Sequence, residues 1–465
     1  MRLACLLALS LIGCSTASDE YQPTGAPDET TDTGEGGKED GPAPGPDVPL
    51  AQQSADVGQF FMVDHYGVSD AGFADVRAKI KTKNLGAIIL WNPTGASGET
   101  LRTMIRGYSQ LAASSGRDEL FYAADQEELH TQRFAAANGF TTLAQGSVLG
   151  AASMRDRLCE LHARITAREL ASVGMNMALG TVSDIYTSDS GTRGMFRTRA
   201  IDADPTNVAP CITAMMRAYA DEARVVYITK HFPGLGNASG NTDVDPSVQT
   251  RSRTTIAMER ELAPYRMASH AVTDWSFFGA MISHASYPVI DGGAQPATLS
   301  HTILTDFLRG SSDAPQAFGG KDASGAETNL AGMDFHGLTI SDAFWTWGAT
   351  RGITTIERQR LMARSFLAGI DILMIAKTDF SGAWGYFQEI YANVLPLAEQ
   401  QALMKATGYM AWDALRTAFR ARITDSAARI RGVKSALGPA TAAMKTGPAT
   451  NASTALVGEY RQLAH

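Results

Sequence analysis

The chain has 465 residues, 44% of them hydrophobic, enough to bury one large core or two moderate ones. Its formal net charge is −8, and the stretch from Cys14 to Leu50 holds nine acidic residues against one lysine, which accounts for all of it. The remainder is close to neutral with no basic patch or stripe, which argues against nucleic acid as a partner and leaves a neutral or mildly charged ligand.

At the N-terminus, Met1-Arg2 precedes an apolar run to Ile12. The run is too short to span a bilayer and has the form of a secretory signal. It ends in Leu11-Ile12-Gly13-Cys14, which is similar to the bacterial lipoprotein cleavage box, where the cysteine becomes the lipid-bearing N-terminus. The expectation is a signal peptide over 1–13 and a lipid anchor on Cys14 that tethers an otherwise soluble protein to the membrane of the cell envelope. Ser15 after that cysteine points to the outer membrane of a diderm bacterium. An ordinary signal peptide with a chance cysteine is the alternative. Residues 14–51, made of Pro, Gly, Thr, Asp and Glu with almost nothing to bury, read as a disordered acidic linker.

From residue 52 to 438, short apolar runs alternate with amphipathic helical patterns. The runs fall at 60–63, 87–90, 120–124, 175–179, 225–228, 280–283, 338–340 and 372–375, and helices are expected between them, for example over 154–173, 208–223 and 354–368. Repeated strand–helix units imply a parallel sheet, and eight of them predict an α/β fold of the (β/α)8 TIM-barrel type. An open doubly wound sheet is the alternative, but no Gly-x-Gly-x-x-Gly follows the first run, which counts against a dinucleotide fold. The Gly-, Ser- and Ala-rich stretch 310–332 reads as a surface loop. Helices from about Ala383 close the domain, and the small-residue-rich tail 439–465 reads as loosely ordered. Cys5 leaves with the signal. Cys159 and Cys211 fall in helical patterns, free to pair in an oxidising compartment or to serve as small buried hydrophobes. No metal-ligand spacing such as Cys-x-x-Cys appears.

In a barrel the chemistry sits at the carboxyl ends of the strands, and polar residues fall there. Asp125 and Glu127 close the third run, Arg199 lies in the loop after the fourth, Lys230 and His231 close the fifth, His284 the sixth and Asp342 the seventh. The stretch 225–245 organises the rest. A β-branched and aromatic run empties through Lys230-His231-Phe232-Pro233-Gly234 into a polar loop that ends in Asp243-Val244-Asp245.

That stretch resembles glycoside hydrolase family 3, in its N-acetyl-β-glucosaminidase branch, where the equivalent reads Lys-His-Phe-Pro-Gly-His-Gly and ends in Asp-Ser-His. Lys230 to Gly234 match, Leu235 replaces a histidine, and Asp245 stands where the loop histidine would be. The resemblance runs from about Val57 to Gly438. It implies a retaining β-N-acetylglucosaminidase acting on peptidoglycan or chitin-type fragments, with a carbohydrate as its partner and no metal or organic cofactor. Asp342, in Ser341-Asp342, falls on the family's nucleophile; a carboxylate at a strand end can attack an anomeric carbon, or it can merely cap a helix. Asp125 and Arg133, in Asp125-Gln-Glu-Glu-Leu-His-Thr-Gln-Arg133, fall on sugar-binding positions, although Glu128-Leu129-His130 replace Gly-Gly-Arg. Arg199 matches a substrate-holding arginine, Lys230 and His231 a substrate-binding pair, and His284 a histidine at the sixth strand. Trp345 and Trp347 can stack on a sugar face or pack the core.

The family's acid/base is a loop histidine paired with an aspartate, and this chain lacks it. Asp245 or Asp243 can take that place, since two neighbouring acids in a closing loop raise one another's pKa; both can equally be turn-formers. Two further readings stay open: a glycan-binding lipoprotein on a degenerate scaffold, and a family 3 β-glucosidase or β-xylosidase.

Overall fold

The computed structural model describes residues 54–67, 70–92, 96–186, 196, 198–293 and 295–464. The signal peptide, Cys14 and the acidic linker predicted for 1–51 lie outside the described residues. Among the described residues no helix is long and apolar enough to cross a membrane.

The strands are β1 (Phe61–Tyr66), β2 (Ala87–Asn92), β3 (Phe121–Asp125), β4 (Met177–Val182), β5 (Val226–Phe232), β6 (Phe278–Ile282), β7 (Pro315–Lys321), β8 (Glu327–Ala331), β9 (Leu338–Ser341) and β10 (Leu373–Ile375). Eight of them pair in parallel in the order β10-β1-β2-β3-β4-β5-β6-β9. A parallel bridge between Ile340 and Ile372 joins the two ends, with Ser341 N–H donating to the Ile372 carbonyl at 3.0 Å. The sheet therefore curls into the predicted eight-stranded barrel. Every residue of β3, β4, β5, β6, β9 and β10 is buried. Strands covered on both faces read as unbroken apolar runs rather than alternations, which is why all eight are visible in the sequence.

Helices wrap the barrel: α1 (Asp70–Lys83), α2 (Gly98–Ser114), α3 (Gly146–Ala151), α4 (Arg155–Ser172), α5 (Pro205–Glu222), α6 (Thr255–Ala271), α7 (Pro288–Asp291) and α8 (Thr355–Ala368). Their starts are written locally. Asp204 accepts the Thr206 N–H ahead of Pro205 in α5, and Thr354 forms a capping box with Glu357 in α8. Cys159 and Cys211 form a disulfide between α4 and α5, with Cα atoms 5.4 Å apart.

Three helices follow the last strand: α9 (Phe380–Ala392), α10 (Leu397–Thr407) and α11 (Trp412–Leu437). The long α11 is bolted to the barrel through Asp371, which is fully buried and meets Arg309 at 3.2 Å, Arg422 at 3.2 Å and Arg429 at 2.6 Å. Burial alone would raise the Asp371 carboxyl; the three guanidinium groups outweigh it and hold the pKa far below the usual carboxylate range.

Two expectations need correction. The stretch 310–332 is not a plain loop: β7 and β8 pair antiparallel as a hairpin. Its turn is fixed by the Asp322 carboxylate, which accepts from Ser324 N at 2.8 Å and Ala326 N at 3.0 Å, with Gly325 at φ +84°. The tail is not loosely ordered either. Turns at Ala440–Ala443 and Ala449–Ala452 lead into α12 (Thr454–Leu463), whose Tyr460 is buried against α4.

Candidate active site

At the carboxyl ends of β3 and β5 the side chains form one charge cluster. Lys230 Nζ lies 2.6 Å from Asp125 Oδ1 and 2.6 Å from Glu127 Oε1. Arg199 grips Glu127 with two parallel bonds of 2.9 Å from Nε and Nη2, the planar fork geometry that lysine cannot offer. Arg133 reaches Asp125 at 3.5 Å, and its guanidinium stands 4.7 Å over the Trp91 ring. Burial raises the Asp125 carboxyl, but Lys230 and Arg133 outweigh it and keep it below its ordinary value. Burial likewise works against the Lys230 ammonium, and Asp125 with Glu127 reverses the balance and raises it. Three cationic side chains thus face two carboxylates.

Beyond Lys230 the chain turns through cis peptide bonds at Lys230–His231 and Phe232–Pro233. Asp184, fully buried after β4, organises this turn. It accepts the His231 N–H at 3.1 Å, His231 Nδ1 at 2.7 Å and the Leu235 N–H at 2.6 Å. With Nδ1–H donating to the Asp184 carboxylate, His231 presents Nε2 to the cavity, 4.0 Å from Asp342 Oδ2. Gly234 is required here: at φ +141°, an added Cβ would lie 2.6 Å from Glu261 Oε2.

Asp342 follows β9, and its N–H donates to the Ile282 carbonyl at 3.1 Å. Oδ1 accepts from Ala343 N at 2.7 Å, so one oxygen is held by the main chain. The other faces His231 across a cavity of about 230 Å³. The cavity is lined by Asp342, His231, Lys230, Arg199, Arg133, Asp125, Glu127 and Asp243, with Trp91, Thr131, Thr242, Thr346, Ala343, Met281 and Met374 completing the wall. Residues as far apart in the chain as Trp91 and Met374 thus meet at one opening.

The two loop aspartates separate. Asp243 lines the cavity and is half-buried; burial, then the nearby Asp342 charge, push its pKa up. Asp245 does not line the cavity. Its carboxylate is spent on its own turn, accepting from Ser247 N at 2.8 Å and Ser247 Oγ at 2.6 Å, and those bonds lower its pKa. Of the two candidates for the acid, Asp243 therefore faces the cavity and Asp245 does not. His284 does not line the cavity. It is buried behind the Asp342 wall, bonded to Thr298 Oγ1 at 2.8 Å and stacked on Trp347 with centroids 4.2 Å apart. Burial brings its pKa down to about 4, so it is neutral. Trp347 is core, while Trp345 is half-buried and meets Trp91 edge-on at the rim.

Asp184, Trp91 and Thr346 escaped the sequence reading, and Glu127 was noted only for its place at a strand end. Asp184 left no such signal: it lies five residues past the predicted run 175–179, and only its contacts with His231 and Leu235 mark it. Among the described residues no group of three or more His, Cys, Asp or Glu side chains is arranged to hold a metal ion. The arrangement can hold a polyhydroxylated ring in a net of fixed charges, with one carboxylate free to attack and a second, protonated more readily, beside it.

Comparison with known proteins agrees with this geometry. The family description "Glycosyl hydrolase family 3 N terminal domain" matches residues 54–407. A β-hexosaminidase of Aromatoleum aromaticum is 28% identical over 313 residues, covering 66% of this chain and 77% of its own. A β-hexosaminidase of Nitrosomonas eutropha is 33% identical over 195 residues, 41% of this chain and 52% of that one, so the chain spans about half the length of this relative. The structure of a family 3 β-N-acetylglucosaminidase from Paenibacillus superposes with a TM-score of 0.66 at 21% identity, covering 88% of this chain and 68% of that one. At that identity the likeness carries the fold.

Proposed function

The chain belongs to glycosyl hydrolase family 3 and is a glycosidase similar to β-hexosaminidases, and from that premise we propose that it removes terminal β-N-acetylglucosaminyl residues from peptidoglycan or chitin-type fragments with retention of configuration. The observation that carries the reading is the pairing of Asp342 and Asp243 across the cavity that Lys230, Arg199 and Asp125 line. In the first step Asp342 Oδ2 attacks the anomeric carbon as the glycosidic bond breaks, and the Asp243 carboxyl gives its proton to the departing oxygen. In the second, Asp243, now ionised, takes a proton from water, and the hydroxide displaces the Asp342 carboxylate from the sugar. Lys230, Arg199, Arg133 and Asp125 bond the sugar hydroxyls and fix the ring against the nucleophile.

The same reading places the protein outside the cytoplasm, held to the envelope by a lipid on Cys14, with the acidic linker as a spacer. The disulfide between Cys159 and Cys211 supports an oxidising compartment. The test is turnover of purified protein on a panel of aryl glycosides. N-acetyl-β-glucosaminide should be hydrolysed in preference to glucoside and xyloside, and Asp342→Asn should lower kcat by at least about 10³-fold. Preference for another sugar would move the assignment within the family, and binding without turnover would leave a glycan-binding protein.

A further inference from the structure

The family match ends at residue 407, yet the last twenty residues of the described chain reach back to the cavity's supports. They run along α4 and clasp the loop 128–145, which carries Thr131 and Arg133 of the cavity wall. The Thr450 N–H donates to the Gly139 carbonyl at 2.9 Å. The Ala144 N–H donates to Tyr460 Oη at 2.8 Å. Ser453 Oγ donates to Glu169, whose carboxylate also takes Thr141 N at 2.8 Å and Thr141 Oγ1 at 2.5 Å.

A further connection goes to the charge cluster itself. Tyr460 Oη lies 3.1 Å from His162 Nδ1, and His162 Nε2 lies 2.7 Å from the Glu127 carbonyl oxygen, which also receives Thr181 Oγ1 at 3.2 Å. The relay has one consistent direction. A carbonyl only accepts, so His162 carries its proton on Nε2 and donates it to Glu127. Nδ1 is then the acceptor for the Tyr460 hydroxyl, whose oxygen in turn accepts from Ala144. Burial brings His162 down to about 4, which keeps this neutral tautomer in place at working pH. Tyr460, His162 and Glu127 are each at most 2% exposed, so no solvent competes for these bonds. Glu127 is the carboxylate on which both Lys230 and Arg199 rest.

We propose that the C-terminal strap belongs to the active-site apparatus, with Tyr460 acting through His162 as a positioning residue for Glu127 and the 128–145 loop, and so for Lys230, Arg199 and Arg133. The inference rests on reading the cavity as a glycosidase site. It is tested on the full chain with Tyr460→Phe, which removes one oxygen and keeps the ring. KM for the aryl N-acetyl-β-glucosaminide should rise on the order of tenfold while kcat stays within about twofold, and amide hydrogen exchange across 128–145 should quicken. His162→Gln, whose amide can still donate to Glu127 and accept from Tyr460, should recover most of KM where His162→Leu does not. Glu459→Gln, on the same helix, loosens only an exposed pair with Arg157 and should leave KM unchanged. The proposal is overturned if Tyr460→Phe and His162→Leu keep wild-type KM, or if KM changes only in step with the thermal midpoint. Should the wild-type chain hydrolyse nothing, the glycosidase reading falls, and exchange in the loop still decides the strap: faster in Tyr460→Phe supports it, unchanged overturns it.

Discussion

A single side chain decides how the proton moves. Asp243 is raised by burial and by Asp342, whereas Asp245 is lowered by Ser247, so of the two it is Asp243 that keeps its proton to the higher pH. Asp243→Asn should therefore slow substrates with poor leaving groups by about 10²- to 10⁴-fold and activated aryl substrates far less. Asp245→Asn should alter neither by more than its small effect on the turn. The pH profile carries the same sign. On the proposed mechanism Asp243 acts in its protonated form, so kcat/KM should fall as pH rises through its raised pKa, giving an alkaline limb. That limb should vanish in Asp243→Asn. The sequence set Asp245 in the place of the family's loop histidine with Asp243 beside it, and could not say which turns inward, because that depends on contacts from the 342–346 segment. Asp342, Lys230 and Arg199 were legible because strand ends converge in any barrel. Asp184 and the capture of His284 by Trp347 were not, since both depend on which neighbour a buried polar group meets.

At the scale of elements, the strands announced themselves and the accessory pieces did not. A strand buried on both faces writes a run of Val, Ile, Leu and aromatic residues, as 225–228 does. The hairpin β7–β8 has one weakly covered face and is rich in glycine, so it leaves no comparable trace. The strap after residue 438 is held by hydrogen bonds and by one short apolar face, Leu456, Val457, Tyr460 and Leu463, too brief to stand out among small residues that read as slack. The disulfide joins two elements whose helical patterns were visible separately. It closes a span of 52 residues, so Cys159→Ser/Cys211→Ser should cost about 2–4 kcal/mol of unfolding free energy in a denaturant titration. No change would mean that the α4–α5 packing alone sets their spacing.

Across the whole molecule, the barrel is closed below by an ionic knot and opens above onto the cavity. Asp371 binds the segment before β10 to α11 through Arg422 and Arg429, and to the segment before β7 through Arg309. A carboxyl depressed on folding gives stability that is present above its unfolded value and lost as pH falls through its folded value. Replacing it also takes the carboxylate from Arg309, while Arg422 and Arg429 keep Asp425, so Asp371→Asn should destabilise by about 3–5 kcal/mol at neutral pH. The part of the acid sensitivity of unfolding that this residue supplies should go with it.

What joins these scales is the claim that Asp342 forms a bond to sugar. The direct measurement is mass-spectrometric mapping of a glycosyl-enzyme trapped with a slow 5-fluoro N-acetylglucosaminyl fluoride. The adduct should sit on the peptide containing Gly337 to Ala349, at Asp342, and should be absent from Asp342→Asn. Turnover with no trapped adduct, or an adduct on any other carboxylate, would contradict the account.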